Sequence, residues 1–425
     1  MPVIAKLRGR EILDSRGRPT VEAELTLTDG TTARASVPSG ASTGSHEAVE
    51  RRDGDPDRYS GLGVRSAVAA IDGEIAAALR GLEPHQRSID RCLVELDGTT
   101  DKSRLGANAT LAVSLATARA AAKTQGVPLW RSLAGDRPVH LPLPMVNIIS
   151  GGLHAGRQLD FQDFLAIPVG ASTYSEALEW VVRVHTAMRD LLGARGLSTL
   201  RADEGGFGPR LADHGEALQL MDEAVAHAGL TPGDDVRYAI DVAATHFHDS
   251  ESGRYRLASE RRVLSSDELT GYLAELAEAH AVASIEDPLA EDDWPAWAAL
   301  TARLGDRLQV VGDDLFTTNP ERLRRGVAER SANAILIKMN QIGTISETLR
   351  VVANAQRAGL RTVASARSGE TEDSALADLA VGCGAGQIKI GSVTQSERLA
   401  KYNQLLRIEE QLGDRAVLAP WGAHA

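Results

Sequence analysis

The C-terminal part of the chain alternates short apolar segments with amphipathic ones at a nearly constant interval. Six apolar segments each end on a polar residue, namely Asp241, Glu286, Asp313, Lys338, Ser365 and Lys389. The intervals between them are 45, 27, 25, 27 and 24 residues, and the longest contains the hairpin-like stretch HDSESGRYRLASE. This regularity is typical of β-loop-α units. It predicts an α/β fold in which a parallel barrel gathers the six residues around one mouth.

The segments before this region predict a second, smaller domain. The stretch TVEAELTLTDG alternates like a half-buried strand that ends in an Asp-Gly turn, and TARASV is its predicted hairpin partner. An alanine-rich helix is predicted over residues 108–124, and the proline-rich RPVHLPLPMVN indicates a linker into a new strand. We therefore expect an α+β domain over residues 1–135 and a barrel over 136–425. A doubly wound open sheet is the alternative, but its phosphate-binding glycine fingerprint is absent from the sequence.

Charge and cysteine content narrow the classes of function. A formal charge of −12 over 425 residues argues against nonspecific binding to nucleic acid or to an anionic membrane. It leaves room for an anionic small substrate, because a metal ion or local basic residues reverse the sign inside a cleft. The sequence shows no signal-peptide core and no segment of membrane-spanning length. Its two cysteines, Cys92 and Cys383, fit a reducing compartment and exclude a cysteine-based zinc site. We expect a cytoplasmic protein.

Two lysines stand out against a strong preference for arginine. Of 46 basic residues only six are lysine, yet Lys338 and Lys389 both lie in apolar runs, AILIKMN and GQIKIG. A buried ammonium can lose its proton, whereas a guanidinium cannot. The two lysines therefore predict proton chemistry, with a snorkelling or ion-paired lysine as the alternative at each position.

Three carboxylates at successive predicted strand ends indicate a metal site. Asp241, Glu286 and Asp313 offer oxygen ligands without histidine or cysteine, a set that favours Mg²⁺ or Mn²⁺ over zinc. Structural carboxylates at a barrel mouth are the alternative. Beside a metal, one lysine, its pKa lowered by desolvation and a neighbouring cation, would abstract the α-proton of a carboxylic acid, and the other would neutralise the substrate carboxylate.

Three polar loops are candidate parts of the site, and the first two have two interpretations each. RADEGGFGP either forms a simple turn or presents Glu204 as a general acid. ISGGLHAGRQLDFQDF places His154 where it either contacts a phosphate or caps a turn. VPSGASTGSHE, residues 37–47, resembles a mobile lid over a metal and a phosphate.

Taken together, the motifs resemble those of the enolase family along essentially the whole chain. They are GREILDSRGRPTVEAEL, PSGASTG, DEGG, SIEDPL, VGDDLF, IKMNQIGT, RSGETED, GQIKIGS and AKYNQLLRIEE, in that order. The resemblance implies an enolase-type modified β/α barrel with a smaller N-terminal α+β domain. It also implies a homodimer or an octamer of dimers, two Mg²⁺ per active site, and interconversion of 2-phosphoglycerate and phosphoenolpyruvate.

The same resemblance implies roles for individual residues. The matching positions are Asp241, Glu286 and Asp313 for the metal, Ser42 for a second metal, Lys338 for the base, Lys389 for the substrate carboxylate, Glu204 for the acid, Arg367 and Ser368 for the phosphate, and His154 and Gln162 for the loop that closes on the substrate.

Five positions depart from the family pattern. Ala366 stands where the family has a histidine, Asp163 where it has a glutamate that partners Glu204, and Ser150 where it has an asparagine. Leu153 replaces a small or polar residue, and His246 replaces an expected glutamate. Most of these changes fall at the phosphoryl and leaving-group end of the predicted site.

Three hypotheses fit this combination. The first is a phosphopyruvate hydratase that tolerates an unusual site, through drift or local compensation. The second is a diverged paralogue that acts on a modified phospho- or phosphono-carboxylate, such as the carboxyphosphonoenolpyruvate synthases of phosphonate pathways, with Ala366 enlarging the pocket. The third is a non-catalytic binding protein, which the intact metal ligands and lysines disfavour.

Overall fold

The computed structural model describes residues 2–40 and 43–422. Ser42, predicted as a metal ligand, lies outside the described residues. No helix within the described ranges combines the length and apolar content needed to cross a membrane.

The N-terminal region pairs a small antiparallel sheet with helices. Its strands are β1 (Ile4–Leu13), β2 (Pro19–Leu27) and β3 (Thr32–Ser36), and its helices are α1 (Arg65–Ala70), α2 (Ala76–Leu79), α3 (Gln86–Asp97), α4 (Ala107–Gln125) and α5 (Leu129–Ala134). The predicted hairpin is confirmed, because β2 pairs with β3 across the Asp-Gly turn. The predicted alanine-rich helix is α4, whose small side chains let it pack closely on β2 and β3.

The C-terminal region contains the remaining strands and helices. Its strands are β4 (Leu143–Ser150), β5 (Asp163–Ile167), β6 (Arg237–Asp241), β7 (His248–Asp249), β8 (Arg254–Leu257), β9 (Arg262–Leu264), β10 (Val282–Glu286), β11 (Gln309–Gly312), β12 (Ala334–Ile337), β13 (Arg361–Ser365) and β14 (Gln387–Gly391). Its helices are α6 (Tyr174–Ala194), α7 (His214–His227), α8 (Ser266–Ala279), α9 (Trp294–Leu304), α10 (Pro320–Glu329), α11 (Ile345–Arg357), α12 (Ala375–Cys383) and α13 (Ser396–Leu412).

Within the described residues, eight of these strands close into a barrel in the order β4, β5, β6, β10, β11, β12, β13, β14. The open-sheet alternative is therefore wrong. The hairpin predicted after the first strand end is confirmed as the separate sheet β7–β8–β9. Apolar side chains from alternate barrel positions, including Leu143, Val311 and Val363, fill the interior.

The expectation of an entirely parallel barrel is wrong at one strand. β5 runs antiparallel to both neighbours, β4 and β6. A parallel return requires a crossover, usually through an α-helix, and the loop over residues 151–162 contains only the short 3-10 helix Gly152–Ala155. The reversal brings the first residue of β5, Asp163, to the barrel mouth, where it pairs with Asp241.

Candidate active site

The strand ends place the predicted carboxylates and lysines at one barrel mouth. Glu286 lies beside Asp241 in the β10–β6 register, and Lys389 lies beside Ser365 in the β14–β13 register. Asp313 and Lys338 follow directly on β11 and β12. The barrel thus brings together the side chains whose sequence spacing predicted convergence.

Each lysine is bonded to carboxylates. Lys389 Nζ donates to Asp241 Oδ2 at 2.7 Å and to Glu286 Oε2 at 2.8 Å. Lys338 Nζ pairs with Asp313. All five side chains are buried. Ion pairing, which the sequence left open as an alternative, is present at both lysines.

The pKa values of the two lysines differ from expectation. Burial and neighbouring cations were expected to lower the pKa of the base. Burial does disfavour the charged form of Lys338, but the Asp313 carboxylate outweighs it and raises the pKa of Lys338. Asp241 and Glu286 overcome burial in the same way at Lys389, whose pKa lies well above its usual value. Both lysines are therefore held as ammonium ions in this arrangement.

The surrounding donor set fits a divalent cation. Burial, together with the Asp241 charge, raises the pKa of Glu286 to about 8, and burial with Asp313 raises the pKa of Asp314 to about 8. These shifts reflect an excess of buried negative charge, which a bound cation would relieve. The amide of Gln162 donates to Asp241 Oδ2 at 3.0 Å, while its own Oε1 is buried without a hydrogen-bond partner. Oxygen-only ligands of this kind suit Mg²⁺.

The carboxylates are grouped differently from the prediction. The side-chain clusters with ligand atoms within 4.8 Å of one another in the described ranges are Asp287–Asp313–Asp314 and His154–Asp163–Glu204. Asp241 and Glu286 do not join Asp313 this closely, because Lys389 holds the first two and Lys338 holds the third.

Asp287 is a buried residue of the mouth that the pattern of strand-end residues does not predict. This residue accepts hydrogen bonds from the backbone N–H groups of Asp313 and Asp314, both at 2.8 Å, and so fixes the start of that loop. Its own backbone has a φ of 42°, an uncommon conformation for a non-glycine residue. The motif SIEDPL contains Asp287, but the sequence gives no sign that it acts on the next strand.

On the strand next to Asp241, a hydrogen-bond network surrounds Asp163. Asp163 Oδ1 accepts from Ser150 Oγ at 2.9 Å and from the amide of Asn147. Asp163 Oδ2 contacts His154 Nδ1 at 3.0 Å, and His154 Nε2 lies 3.8 Å from Glu204 Oε1. Two of the departures from the family pattern, Ser150 and Asp163, thus belong to one network, in which the short side chain still reaches His154.

Steric crowding explains the second glycine of the DEGG motif, Gly206. A Cβ on Gly206 would lie 2.5 Å from Asn147 Oδ1 and 2.7 Å from Ser150 Oγ. The absence of a side chain lets the Glu204 loop pack directly on the Asp163 network. Glu204 also accepts, through its backbone oxygen, a 2.8 Å bond from Ser392, which anchors the loop to the end of β14.

The third group of predicted residues follows β13. Arg367 is buried and donates to Glu47 Oε2 at 2.9 Å and to Asn340 Oδ1 at 3.0 Å. Ser368 Oγ accepts from Arg16 at 3.2 Å. Glu47 comes from the predicted lid segment, so the N-terminal region contributes to this side of the site. Neither Glu47 nor Asn340 was predicted, although both lie in or beside quoted motifs.

Ala366 lies between Ser365, the last residue of β13, and the buried Arg367. Its backbone N–H donates to the Lys389 carbonyl at 2.9 Å, and its methyl group is buried in the apolar core. Nothing at this position replaces the hydrogen-bond donor that the resemblance predicted. Leu153 and His246, the remaining departures, are half-buried and line a cavity beside the mouth.

The charge state of His154 gives a testable pH dependence. Burial favours the neutral imidazole, but Asp163 and Glu204 outweigh it and raise the pKa of His154 to about 9. Since the pKa in the unfolded chain is about 6.5, this contribution to stability is fully present below pH 6.5 and is lost as pH rises through 9. We expect the difference in unfolding free energy between wild type and His154→Gln, in metal-free buffer, to shrink by up to about 3 kcal/mol from pH 6 to pH 10.

Urea unfolding at the two pH values measures this difference. The exposed His227 provides a matched control, because His227→Gln removes an imidazole from the surface of α7. A wild-type to His154→Gln difference that stays constant between pH 6 and pH 10 would contradict the assignment of charge to His154.

Two protein-family models match the chain. The model described as "Enolase, N-terminal domain" matches residues 4–133, and the model described as "Enolase, C-terminal TIM barrel domain" matches residues 138–424. The second match alone covers more than half of the sequence, and its barrel agrees with the closed barrel of the structure. Enolase-family proteins generally use Mg²⁺, in agreement with the oxygen-rich mouth. The chain belongs to the enolase family and is of the enolase-superfamily lyase type.

Proposed function

We propose that this protein is a Mg²⁺-dependent lyase that interconverts 2-phosphoglycerate-type and phosphoenolpyruvate-type phospho-carboxylates through an ene-diolate. The observation that carries the proposal is the pair of buried lysines, each held on carboxylates at the mouth of the same barrel. If the two side chains only neutralised the buried carboxylates, one cation for each acid cluster would be enough, and arginine could supply that charge. The choice of lysine at both positions supports proton transfer.

Asp241, Glu286 and Asp313 would hold the metal in the proposed reaction. When bound, the ion supplies positive charge that competes with the lysines for these carboxylates and stabilises the charge developing on the substrate carboxylate. With Asp313 engaged by the ion, Lys338 would lose its own proton to solvent, and its neutral Nζ would then take the α-proton of the substrate. Lys389 keeps its ammonium charge and binds the substrate carboxylate.

At the other end of the substrate, Glu204 and His154 would handle the departing hydroxide. Burial opposes ionisation of Glu204, but His154 and Arg398 outweigh it and lower the pKa of Glu204. His154, whose Nε2 lies 3.8 Å from Glu204 Oε1, would therefore hold the proton of this pair. Glu204 would deliver a proton to the leaving oxygen after receiving it from His154, with Asp163 fixing the orientation of the imidazole. Arg367 and Ser368 would bind the phosphate once Arg367 exchanges its contact with Glu47 for the substrate.

The direct test is conversion of 2-phosphoglycerate to phosphoenolpyruvate, followed by the ultraviolet absorbance of the enol. We expect turnover with Mg²⁺, its loss in excess chelator, and its recovery when Mg²⁺ or Mn²⁺ is added back. The physical reason is that without a cation the three carboxylates keep both lysines protonated. Full activity in chelator would refute the metal assignment, and circular dichroism in chelator controls for unfolding.

A second candidate function is favoured by the surroundings of Ala366. The missing donor there, and the shortened Asp163, alter the phosphoryl and leaving-group end, while the three metal carboxylates and both lysines match the family. This asymmetry supports a paralogue that retains ene-diolate chemistry on a modified phosphono-carboxylate. Absence of phosphoenolpyruvate formation by a folded, metal-bound protein would favour this second candidate.

A further inference from the structure

A separate cavity of about 310 Å³ lies beside the barrel mouth. Its walls are the loop that begins at Gly152 and the segment from His246 to Ala258, which includes β7 and β8. This volume is at the lower end of the range for small-molecule sites. The catalytic residues assigned above do not line it, so the cavity needs an explanation of its own.

Two arginines supply hydrogen-bond donors to the cavity. Arg157 makes a single side-chain hydrogen bond, a 3.4 Å contact with the carbonyl of His246, among the residues that the structure describes. The Arg256 side chain forms neither a hydrogen bond nor an ion pair with any described residue, while its backbone pairs with Val263 in the β8–β9 ladder. Their guanidinium groups therefore keep most of their N–H donors available for an anion.

The two acids in the cavity wall are already engaged. Asp160 accepts hydrogen bonds from the backbone of Ala258 at 2.9 Å and of Ser259 at 3.0 Å, and from the Ser259 hydroxyl. Asp249 accepts from the Ser252 hydroxyl at 2.7 Å and from a backbone N–H at 3.1 Å. These carboxylate oxygens accept hydrogen bonds from the protein itself, and neither acid is hydrogen-bonded to Arg157 or Arg256 in the described structure.

A buried histidine atom points to a missing polar partner. His246 lines the cavity, and its Nδ1 is buried without a hydrogen-bond partner in the described structure. An unsatisfied buried polar atom is uncommon and costs stability. A turn of the His246 ring that brought Nδ1 to the cavity surface would let a ligand oxygen satisfy it.

The cavity adjoins the reacting centre. Leu153 lines it and directly precedes His154, while His246 follows Asp241 by five residues on the loop after β6. The short 3-10 helix Ala244–Phe247, which follows β6, contains His246. A group bound in the cavity would therefore lie next to the substrate of the proposed reaction.

We propose that this cavity is a subsite for a second anionic group, a carboxylate, phosphate or phosphonate, bound by Arg157, Arg256 and His246. The group belongs either to an extended substrate or to a second small molecule that binds with it. The inference rests on the proposed function, because that function supplies the substrate that would lie next to the cavity. Binding of the anion itself does not depend on turnover.

The test uses inorganic phosphate as the probe and ³¹P NMR line widths as the readout, with the metal-loaded full chain. We expect the Arg157→Gln/Arg256→Gln double variant to lose one phosphate-binding component, with affinity at least about tenfold weaker. Arg254→Gln is the matched control, because Arg254 is exposed on the same strand, β8, but does not line the cavity. Its phosphate binding should equal that of the wild type.

Phosphate binding that is the same in wild type, control and double variant would overturn the proposal. Both arginines are exposed, so their replacement leaves the packed core intact, and circular dichroism verifies the fold. Failure of the protein to form phosphoenolpyruvate leaves this comparison unaffected, which separates the two proposals.

A repeat with saturating 2-phosphoglycerate identifies the source of the anionic group. Arginine-dependent phosphate binding that persists supports a second small molecule beside the substrate. Displacement of that phosphate supports one extended substrate that fills both places.

Discussion

Replacement of Lys338 by arginine is expected to slow exchange of the substrate α-proton with solvent deuterium by roughly 10² to 10⁴-fold, the usual contribution of a general base. Arginine preserves the positive charge and can still pair with Asp313, but it cannot release its proton. The variant therefore separates the electrostatic role of this side chain from its role in proton transfer. ¹H NMR of 2-phosphoglycerate in D₂O measures the exchange without requiring loss of hydroxide.

The matched control is Lys102→Arg. Lys102, in the N-terminal region, is also buried, at 4% exposure, and pairs at 3.1 Å with Glu347 of α11 instead of with a site carboxylate. Exchange at the wild-type rate in Lys102→Arg shows that a buried lysine-to-arginine change is tolerated. Exchange at the wild-type rate in Lys338→Arg would transfer the role of base to another group, with Lys389 next to be examined.

The sequence predicted the barrel because its repeating unit is local. Each strand, loop and helix leaves its own hydrophobic period, and the polar residue at each strand end marks the mouth. The reversal of β5 left no such mark, because strand direction depends on the length and content of the preceding loop. That reversal is what brings Asp163 to the mouth, so only the resemblance, and no strand-end pattern, placed Asp163 near Glu204.

The residues missed by the sequence act across the fold. Glu47 reaches Arg367 from 320 positions away, and Asp287 bonds to the backbone of the following strand's loop. A long-range contact of this kind leaves no periodic signal in the chain. The two lysines were predicted because the apolar run around each of them is visible in the sequence. Their raised pKa values were not predicted, because these depend on carboxylates contributed by other strands.

Replacement of Ala366 by histidine is expected to raise hydration of phosphoenolpyruvate by about 10² to 10³-fold if the second candidate function is correct. The estimate follows from the usual effect of one preorganised hydrogen-bond donor at a reacting oxygen. Ala366 lies between Ser365 and Arg367, with its backbone fixed by the 2.9 Å bond to the Lys389 carbonyl. The resemblance to the enolase family implies that an imidazole there would face the phosphoryl and leaving-group end of the substrate.

Ala366→Leu distinguishes the donor from the added volume. Both substitutions enlarge a side chain that is 6% exposed in the apolar core, so overpacking should cost each variant about 1–3 kcal/mol of stability. Leucine cannot donate a hydrogen bond, so a gain confined to Ala366→His assigns the effect to the imidazole. Thermal unfolding of both variants verifies that their rates are compared at similar stability.

The direction of the change in Ala366→His decides between the two candidate functions. A protein already adapted to 2-phosphoglycerate would have compensated for the missing donor through the Ser150–Asp163–His154 network, and an added imidazole would leave its rate unchanged or lower it. A paralogue adapted to a bulkier phosphono-carboxylate would gain phosphoenolpyruvate hydration and lose its own reaction, because the imidazole occupies the space its substrate needs. Steady-state rates on phosphoenolpyruvate for wild type, Ala366→His and Ala366→Leu therefore test whether Ala366 determines specificity.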